Sequence, residues 1–215
     1  MIDKEISAKV AKYLLEVKAV KLSPDNPFTW TSGLLSPIYC DNRVTLSYPE
    51  VRTYIRDMFV KIIRDNFPEV ECIAGIATAG IAQGALIAEA MRLPYVYIRP
   101  EPKKHGMKNS VEGYMKEGAK VVLIEDLVST GKSSLAALEN LRQSGGHALG
   151  LVSIFTYGFS DALEQFNQAD CPYIYLSNYA VLLEEAVKSG YVTSQNKVAL
   201  ESWSIDPVAW AAAHQ

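Results

Sequence analysis

Val121-Val122-Leu123-Ile124-Glu125-Asp126-Leu127-Val128-Ser129-Thr130-Gly131-Lys132-Ser133-Ser134 is the stretch that decides the fold. An apolar run ends in two adjacent carboxylates, then passes through small hydroxyl residues and a glycine into a helical pattern. This reads as a strand, a turn and a helix N-terminus. Helix N-termini present backbone N–H groups without intrahelical partners and the positive end of the helix dipole, so they receive phosphate. Gly131 lets the backbone turn tightly around a ligand, and Ser129, Thr130 and Ser133 add hydroxyl donors. Gly131-Lys132-Ser133 copies the end of a Walker A loop, but that motif needs a glycine five positions earlier, where this chain has Asp126. Nucleotide hydrolysis is therefore disfavoured. A sugar phosphate fits better, because its vicinal hydroxyls need acceptors such as Glu125 and Asp126 while its phosphate needs donors. The plainer alternative is a strand-end turn whose Ser and Thr only cap a helix.

Outward from this stretch, short apolar runs alternate with helical periodicity. Residues 71–77, 94–99, 120–124 and 147–157 read as strands, and residues 81–91 and 133–144 as helices. The strands lack clean alternation of apolar and polar residues, as expected when both faces are covered, so the fold class is α/β with a parallel sheet. Functional loops then belong at the carboxyl ends of the strands. Upstream, Ile2, Ile6, Val10, Leu14 and Leu15 mark an amphipathic first helix, and residues 48–66 a second. Between them, residues 23–42 are turn-rich, with Pro24, Pro27, Gly33 and Pro37. Residues 178–215 read as a helical tail with Trp203 and Trp210 packed onto the body. The connection between Arg99 and Lys120 is roughly twenty residues, far longer than an ordinary α/β loop. It carries Arg99, Lys103, Lys104 and Lys108 against Glu101, with His105-Gly106 among them. A lid or binding loop is expected there.

Composition sets outer limits. The 215 residues are 49% hydrophobic and 21% charged with a net charge of −3, which is globular and excludes a disordered chain. Mild acidity argues against a surface devoted to nucleic acid. Cys40, Cys72 and Cys171 stand far apart and form neither a disulfide framework nor a zinc site, which suits a reduced, cytoplasmic setting. Met1-Ile2-Asp3-Lys4-Glu5 places charge where a signal peptide would begin its apolar core, and no run of about 18 apolar residues follows. Neither secretion nor a membrane partner is expected, and residues 1–215 are read as one domain without repeats or linkers.

Residues 125–133 resemble the phosphoribosyl-pyrophosphate motif of the type I phosphoribosyltransferases. Three further segments are similar to the orotate-specific members: residues 99–106 (RPEPKKHG), 28–43 (FTWTSGLLSPIYCDNR) and 75–84 (GIATAGIAQG). The acidic motif alone selects the superfamily; the lysine-histidine loop joined to the Phe-Thr segment selects orotate. The resemblance implies a type I phosphoribosyltransferase fold. Residues 1–45 would form a small hood and base-pocket segment, residues 70–160 the sugar-phosphate core, and a helical tail would follow.

It also implies the reaction. Ribose 5-phosphate would pass from phosphoribosyl pyrophosphate (PRPP) to N1 of orotate, giving orotidine 5′-monophosphate and pyrophosphate in pyrimidine biosynthesis. Mg2+ would be held mainly by the pyrophosphate rather than by the protein. Glu125 and Asp126 would accept from the ribose hydroxyls, Asp126 also stabilising charge near the sugar. Leu127, Val128, Ser129, Thr130, Gly131, Lys132 and Ser133 would hold the 5-phosphate. Arg99, Lys103, Lys104 and His105 would bind pyrophosphate, as would Thr78, Ala79 and Gly80 through backbone. Ser129, Tyr39 and Arg43 would contact orotate. Lys103, His105 and Asp126 would carry the catalysis, with the lid reaching across a homodimer.

Three positions depart from relatives. Ala79 and Pro100 stand where one branch has lysines, and residues 155–158 (FTYG) lack an arginine that some relatives use on orotate. Two alternatives remain: a purine-type phosphoribosyltransferase, and a non-catalytic regulator that binds PRPP.

Overall fold

The computed structural model describes residues 3–30, 33–99 and 110–214. Helix α1 (Lys4–Glu16) starts where Asp3 accepts from the Glu5 N–H, and buries Val10, Ala11, Leu14 and Leu15. The turn-rich stretch contains four short strands: β1 (Val20–Leu22), β2 (Phe28–Thr29), β3 (Leu35–Ser36) and β4 (Ile38–Cys40). β1 pairs antiparallel with β4 and β2 with β3, which is more order than the prolines and glycine alone indicate. A 3-10 helix (Asn42–Ser47) leads into α2 (Pro49–Asn66), with proline in the first turn where its missing N–H costs nothing.

The core then runs β5 (Cys72–Ile76), α3 (Gly80–Met91), β6 (Tyr95–Ile98), β7 (Val111–Glu112), β8 (Lys120–Val128), α4 (Lys132–Gln143), β9 (His147–Thr156), α5 (Ser160–Gln168) and β10 (Tyr173–Asn178). Helices α6 (Tyr179–Lys188), α7 (Ser194–Ile205) and α8 (Pro207–Ala213) form the tail. The main sheet has the order β10-β9-β8-β5-β6-β7. Its pairs are parallel except β6 with β7, so an antiparallel strand closes one edge of the expected parallel sheet.

Both faces are covered, which explains the unbroken apolar runs. Along β8, Val122 and Ile124 join a cluster with α1, α2, α3 and α6, whereas Val121 and Leu123 join one with α4 and α5. Burying an aromatic such as Phe166 in the second cluster is worth about 3–5 kcal/mol against truncation to alanine. Trp203 and Trp210 are buried, as the tail reading expected. The structure extends β8 four residues past Ile124: Glu125, Leu127 and Val128 pair with Ser153, Phe155 and Thr156 of the long strand β9. The carboxylates therefore stand on the strand rather than in the turn. Beyond β9, α5 and β10 add a further amphipathic helix and the fifth parallel strand, neither of which the sequence reading assigned.

Strand order also locates the site. From β5 the chain moves outward to β6, then crosses back to β8 and continues the other way to β9 and β10. The direction reverses between β5 and β8, and in an open α/β sheet the crevice at that point, beyond the carboxyl ends, receives the ligand.

Candidate active site

Two loops meet at that crevice. After β5, residues 77–80 turn into α3, the Ala77–Thr78 peptide being cis and the Ala77 N–H donating to the Ile98 carbonyl at 2.8 Å. No side chain caps α3. Gly80 is required by close approach: a Cβ there would collide with the Ile124 carbonyl oxygen of β8. After β8, residues 129–131 turn into α4 through Gly131, which adopts φ +78° at the N-cap. α4 also has no side-chain cap. Two uncapped helix N-termini thus face one crevice, each an anion site by its N–H groups and dipole. Thr78, Thr130, Lys132 and Ser133 are exposed, and Ser129 and Ala79 half-buried, around them.

The acidic pair is asymmetric. Glu125 is 5% exposed; its Oε1 accepts from the Asp126 N–H at 2.9 Å and its Oε2 from Ser134 Oγ at 3.1 Å. Burial, reinforced by the Asp126 charge, pushes the Glu125 carboxyl well above the ordinary carboxylate range. Asp126 is half-buried, and burial raises it too, while Glu125 and nearby Arg43 favour its charged form. The negative charge of the pair accordingly rests on Asp126.

The base-pocket segment is fastened to this strand. Asn42, buried at the start of the 3-10 helix, donates its amide to the Asp126 carbonyl at 2.7 Å. The Cys40 thiol donates to Asn42 Oδ1 at 3.5 Å, and burial beside Asp126 and Asp41 pushes that thiol up, so it stays protonated. Tyr39 is 41% exposed, its ring 5.8 Å from that of Phe28. Arg43 forms a bidentate pair with Asp41, Nε to Oδ1 at 2.6 Å and Nη2 to Oδ2 at 2.9 Å. Trp30 packs on Tyr157 and Trp203 at the core's edge and donates from Nε1 to the Ile38 carbonyl at 3.0 Å.

Arg99 follows β6, its Nε 3.6 Å from Glu112 Oε1 of β7 and its carbonyl accepting from Asn140 at 2.8 Å. Lys103, Lys104 and His105 lie outside the described residues. The structure thus brings the 77–80 loop, the 125–133 loop and the 39–43 segment to one edge. The sequence reading did not single out Asn42 or Ser134. Asn42 lies inside the quoted 28–43 segment and Ser134 just past the phosphate loop, but their partners are set by tertiary packing.

Comparison with known proteins points the same way. The phosphoribosyl transferase domain matches residues 46–175. The orotate phosphoribosyltransferase of Cytophaga hutchinsonii is 52% identical over 202 residues, 94% of this chain and 97% of that protein. The solved orotate phosphoribosyltransferase of Aeropyrum pernix superposes with a TM-score of 0.75 at 27% identity, over 86% of this chain and 99% of that one. Leishmania donovani UMP synthase superposes with a TM-score of 0.79 at 29% identity over 92% of this chain, which spans 42% of that longer chain.

Proposed function

The chain belongs to the orotate phosphoribosyltransferase family, an enzyme family of the phosphoribosyl transferase fold, and from that premise we propose which of its residues carry each part of the reaction. The observation that carries the assignment is the acidic pair on β8 running through Gly131 into the uncapped α4, with the base-pocket segment tied to the same strand by Asn42.

The 5-phosphate of PRPP sits on the N-terminus of α4, held by the N–H groups and hydroxyls of residues 127–133. The pyrophosphate lies toward residues 78–80 and α3, with Arg99 at its flank. Asp126, the more accessible and charged carboxylate, accepts from the ribose; Glu125 completes the acceptor pair and fixes its orientation through Ser134. As the bond from C1 to pyrophosphate lengthens, positive charge grows on the sugar and negative charge on the leaving group. Asp126 opposes the first, and Lys103, Lys104, His105 and Arg99 meet the second, the scale of such a fixed contact being roughly 10²–10³-fold in rate. Orotate N1 attacks from the side of Tyr39, Arg43 and Ser129.

Mg2+ fits this scheme as a companion of the substrate. Hard cations take oxygen ligands, and both Glu125 oxygens already accept hydrogen bonds within the protein, so pyrophosphate oxygens would supply most of the ligands and Asp126 would be the carboxylate left to assist. When bound, the metal neutralises charge on the leaving group.

The chain acts as one domain in a homodimer whose lids cross to the partner's site, in the cytoplasm; no described helix is long and apolar enough to cross a membrane. The test is pyrophosphate release from PRPP with orotate, uracil, hypoxanthine and adenine in parallel. Orotate should be preferred. Turnover of hypoxanthine or adenine in its place would assign a purine-type enzyme, and PRPP binding without turnover of any base would assign a regulator.

A further inference from the structure

One polar group at the carboxyl edge is unused by this scheme. Tyr157 directly follows β9, and its N–H donates to the Val128 carbonyl at 3.3 Å, two residues beyond Asp126. The neighbouring Thr156 Oγ1 donates to the same carbonyl at 3.0 Å, which fixes the stem of the side chain against β8. The Tyr157 ring, 6% exposed, stacks on Trp30 at 5.6 Å and 21° and meets Trp203 edge-on at 5.4 Å. Trp30 is itself anchored to Ile38, next to Tyr39 and Cys40. The ring is therefore packed between the base-pocket segment and the tail helices, on a backbone tied to the strand of the acidic pair. Its hydroxyl has no hydrogen-bond partner among the described residues, and burial, with a smaller contribution from Asp126, pushes the phenol well above its ordinary value so that it stays a neutral donor. Neighbouring phenols differ: Tyr179 donates to the Leu200 carbonyl at 3.0 Å, and Tyr173 is 2.7 Å from Ser153 Oγ.

We propose that the Tyr157 hydroxyl is a specificity-determining contact, donating a hydrogen bond to an acceptor oxygen of bound orotate from the β9 side. The inference rests on orotate being the acceptor base. Residues 155–158 offer no cation, so an anionic base approaching this edge is met there by a neutral donor on a rigid aromatic stem. A hydrogen bond to a charged acceptor outweighs one to a neutral acceptor, and its loss costs about 10- to 100-fold in affinity.

Tyr157→Phe removes only the oxygen and keeps the stack on Trp30. Wild type and variant are compared by KM for orotate and for PRPP, by orotate binding in calorimetry, and by thermal melting. The expected result is an orotate KM and Kd raised about 10- to 100-fold, with the KM for PRPP and the melting temperature unchanged. An unchanged orotate KM beside an active wild type overturns this inference and leaves the orotate reading standing. Equal rises in both KM values, or a lowered melting temperature, make the hydroxyl structural and also overturn it. A wild type inactive on orotate overturns the underlying reading, and this inference falls with it.

Discussion

The side-chain amide of Asn42 donates to the backbone carbonyl of Asp126 at 2.7 Å, joining residues 84 positions apart. Asn42 is held in turn, its own carbonyl accepting from Thr45 Oγ1 at 2.6 Å. The segment proposed to line the base is therefore tied directly to the strand proposed to hold the ribose. Aligning a base nitrogen with the sugar's C1 depends on such fixed separation, since misplacement by about 1 Å can cost 10²-fold in rate.

Asn42→Ala tests that latch. It leaves the Asp126 carbonyl without its buried donor, at a cost of about 1–3 kcal/mol. In a chain of this size each kcal/mol lowers the melting temperature by about 2–4 °C. Turnover with orotate should fall about 10-fold or more, since the base segment loses its register to the sugar. Calorimetric melting and steady-state rates check both parts; a variant that melts and turns over like wild type removes the latch from the mechanism.

Glu125→Gln should trade activity for stability. The carboxyl has an ordinary value of 4.5 but titrates well above it when folded. Above that ordinary value the unfolded chain holds fewer protons than the folded one, so this group costs stability as pH rises. Below about pH 4.5 both states are protonated and the cost disappears. The neutral variant should therefore melt higher at neutral pH, by about 2–4 °C for each kcal/mol relieved, and lose this advantage toward pH 4.5. Its kcat/KM should drop about 10-fold, the scale of one lost ribose acceptor and of the weakened hold on Ser134. A melting difference that does not change with pH would contradict the buried-charge account.

How much of this was legible follows from the residues themselves. Strands β5, β6 and most of β8 are short apolar runs, and their burial on two faces is what such runs mean. The last residues of β8 were not legible, because carboxylates disfavour strands and only pairing with β9 keeps them extended. β7 has two residues and no period to detect. The phosphate loop was readable because its chemistry is local, whereas Asn42 and Ser134 act on partners that only the fold brings near. The sequence reading makes Arg43 an orotate contact, and the structure pairs it with Asp41, two residues away.

Shared sites across a dimer are tested by mixing inactive subunits. Lys103→Ala alone should cut turnover roughly 10²–10³-fold while weakening PRPP binding less, and Asp126→Ala should be similarly impaired. A heterodimer of the two variants rebuilds one site from the intact Asp126 of one chain and the intact Lys103 of the other. Recovery of activity toward a quarter to a half of wild type is expected, roughly the share of rebuilt sites given how subunits redistribute. Subunits shown to exchange by mass spectrometry that stay inactive would place each lid over its own site.

Arg43 is the remaining candidate for the orotate carboxylate, and its position makes the test two-sided. A guanidinium matches a carboxylate bidentately, yet here both contacts go to Asp41, and the side chain is 60% exposed. The Asp41 contact holds its carboxyl below the usual carboxylate range, so the pair stays ionised at neutral pH. If Arg43 serves the substrate, orotate competes with Asp41 for one fork. Arg43→Ala should then raise the orotate KM sharply, leave that for PRPP nearly unchanged, and shrink the preference for orotate over uracil, which lacks the carboxylate. Asp41→Asn should act in the opposite direction, freeing the guanidinium and lowering the orotate KM. If the pair only closes the end of the base segment, the two substitutions will leave the orotate-to-uracil ratio where it was. The carboxylate's partner must then be sought at Lys21, Lys132 or the backbone N–H groups.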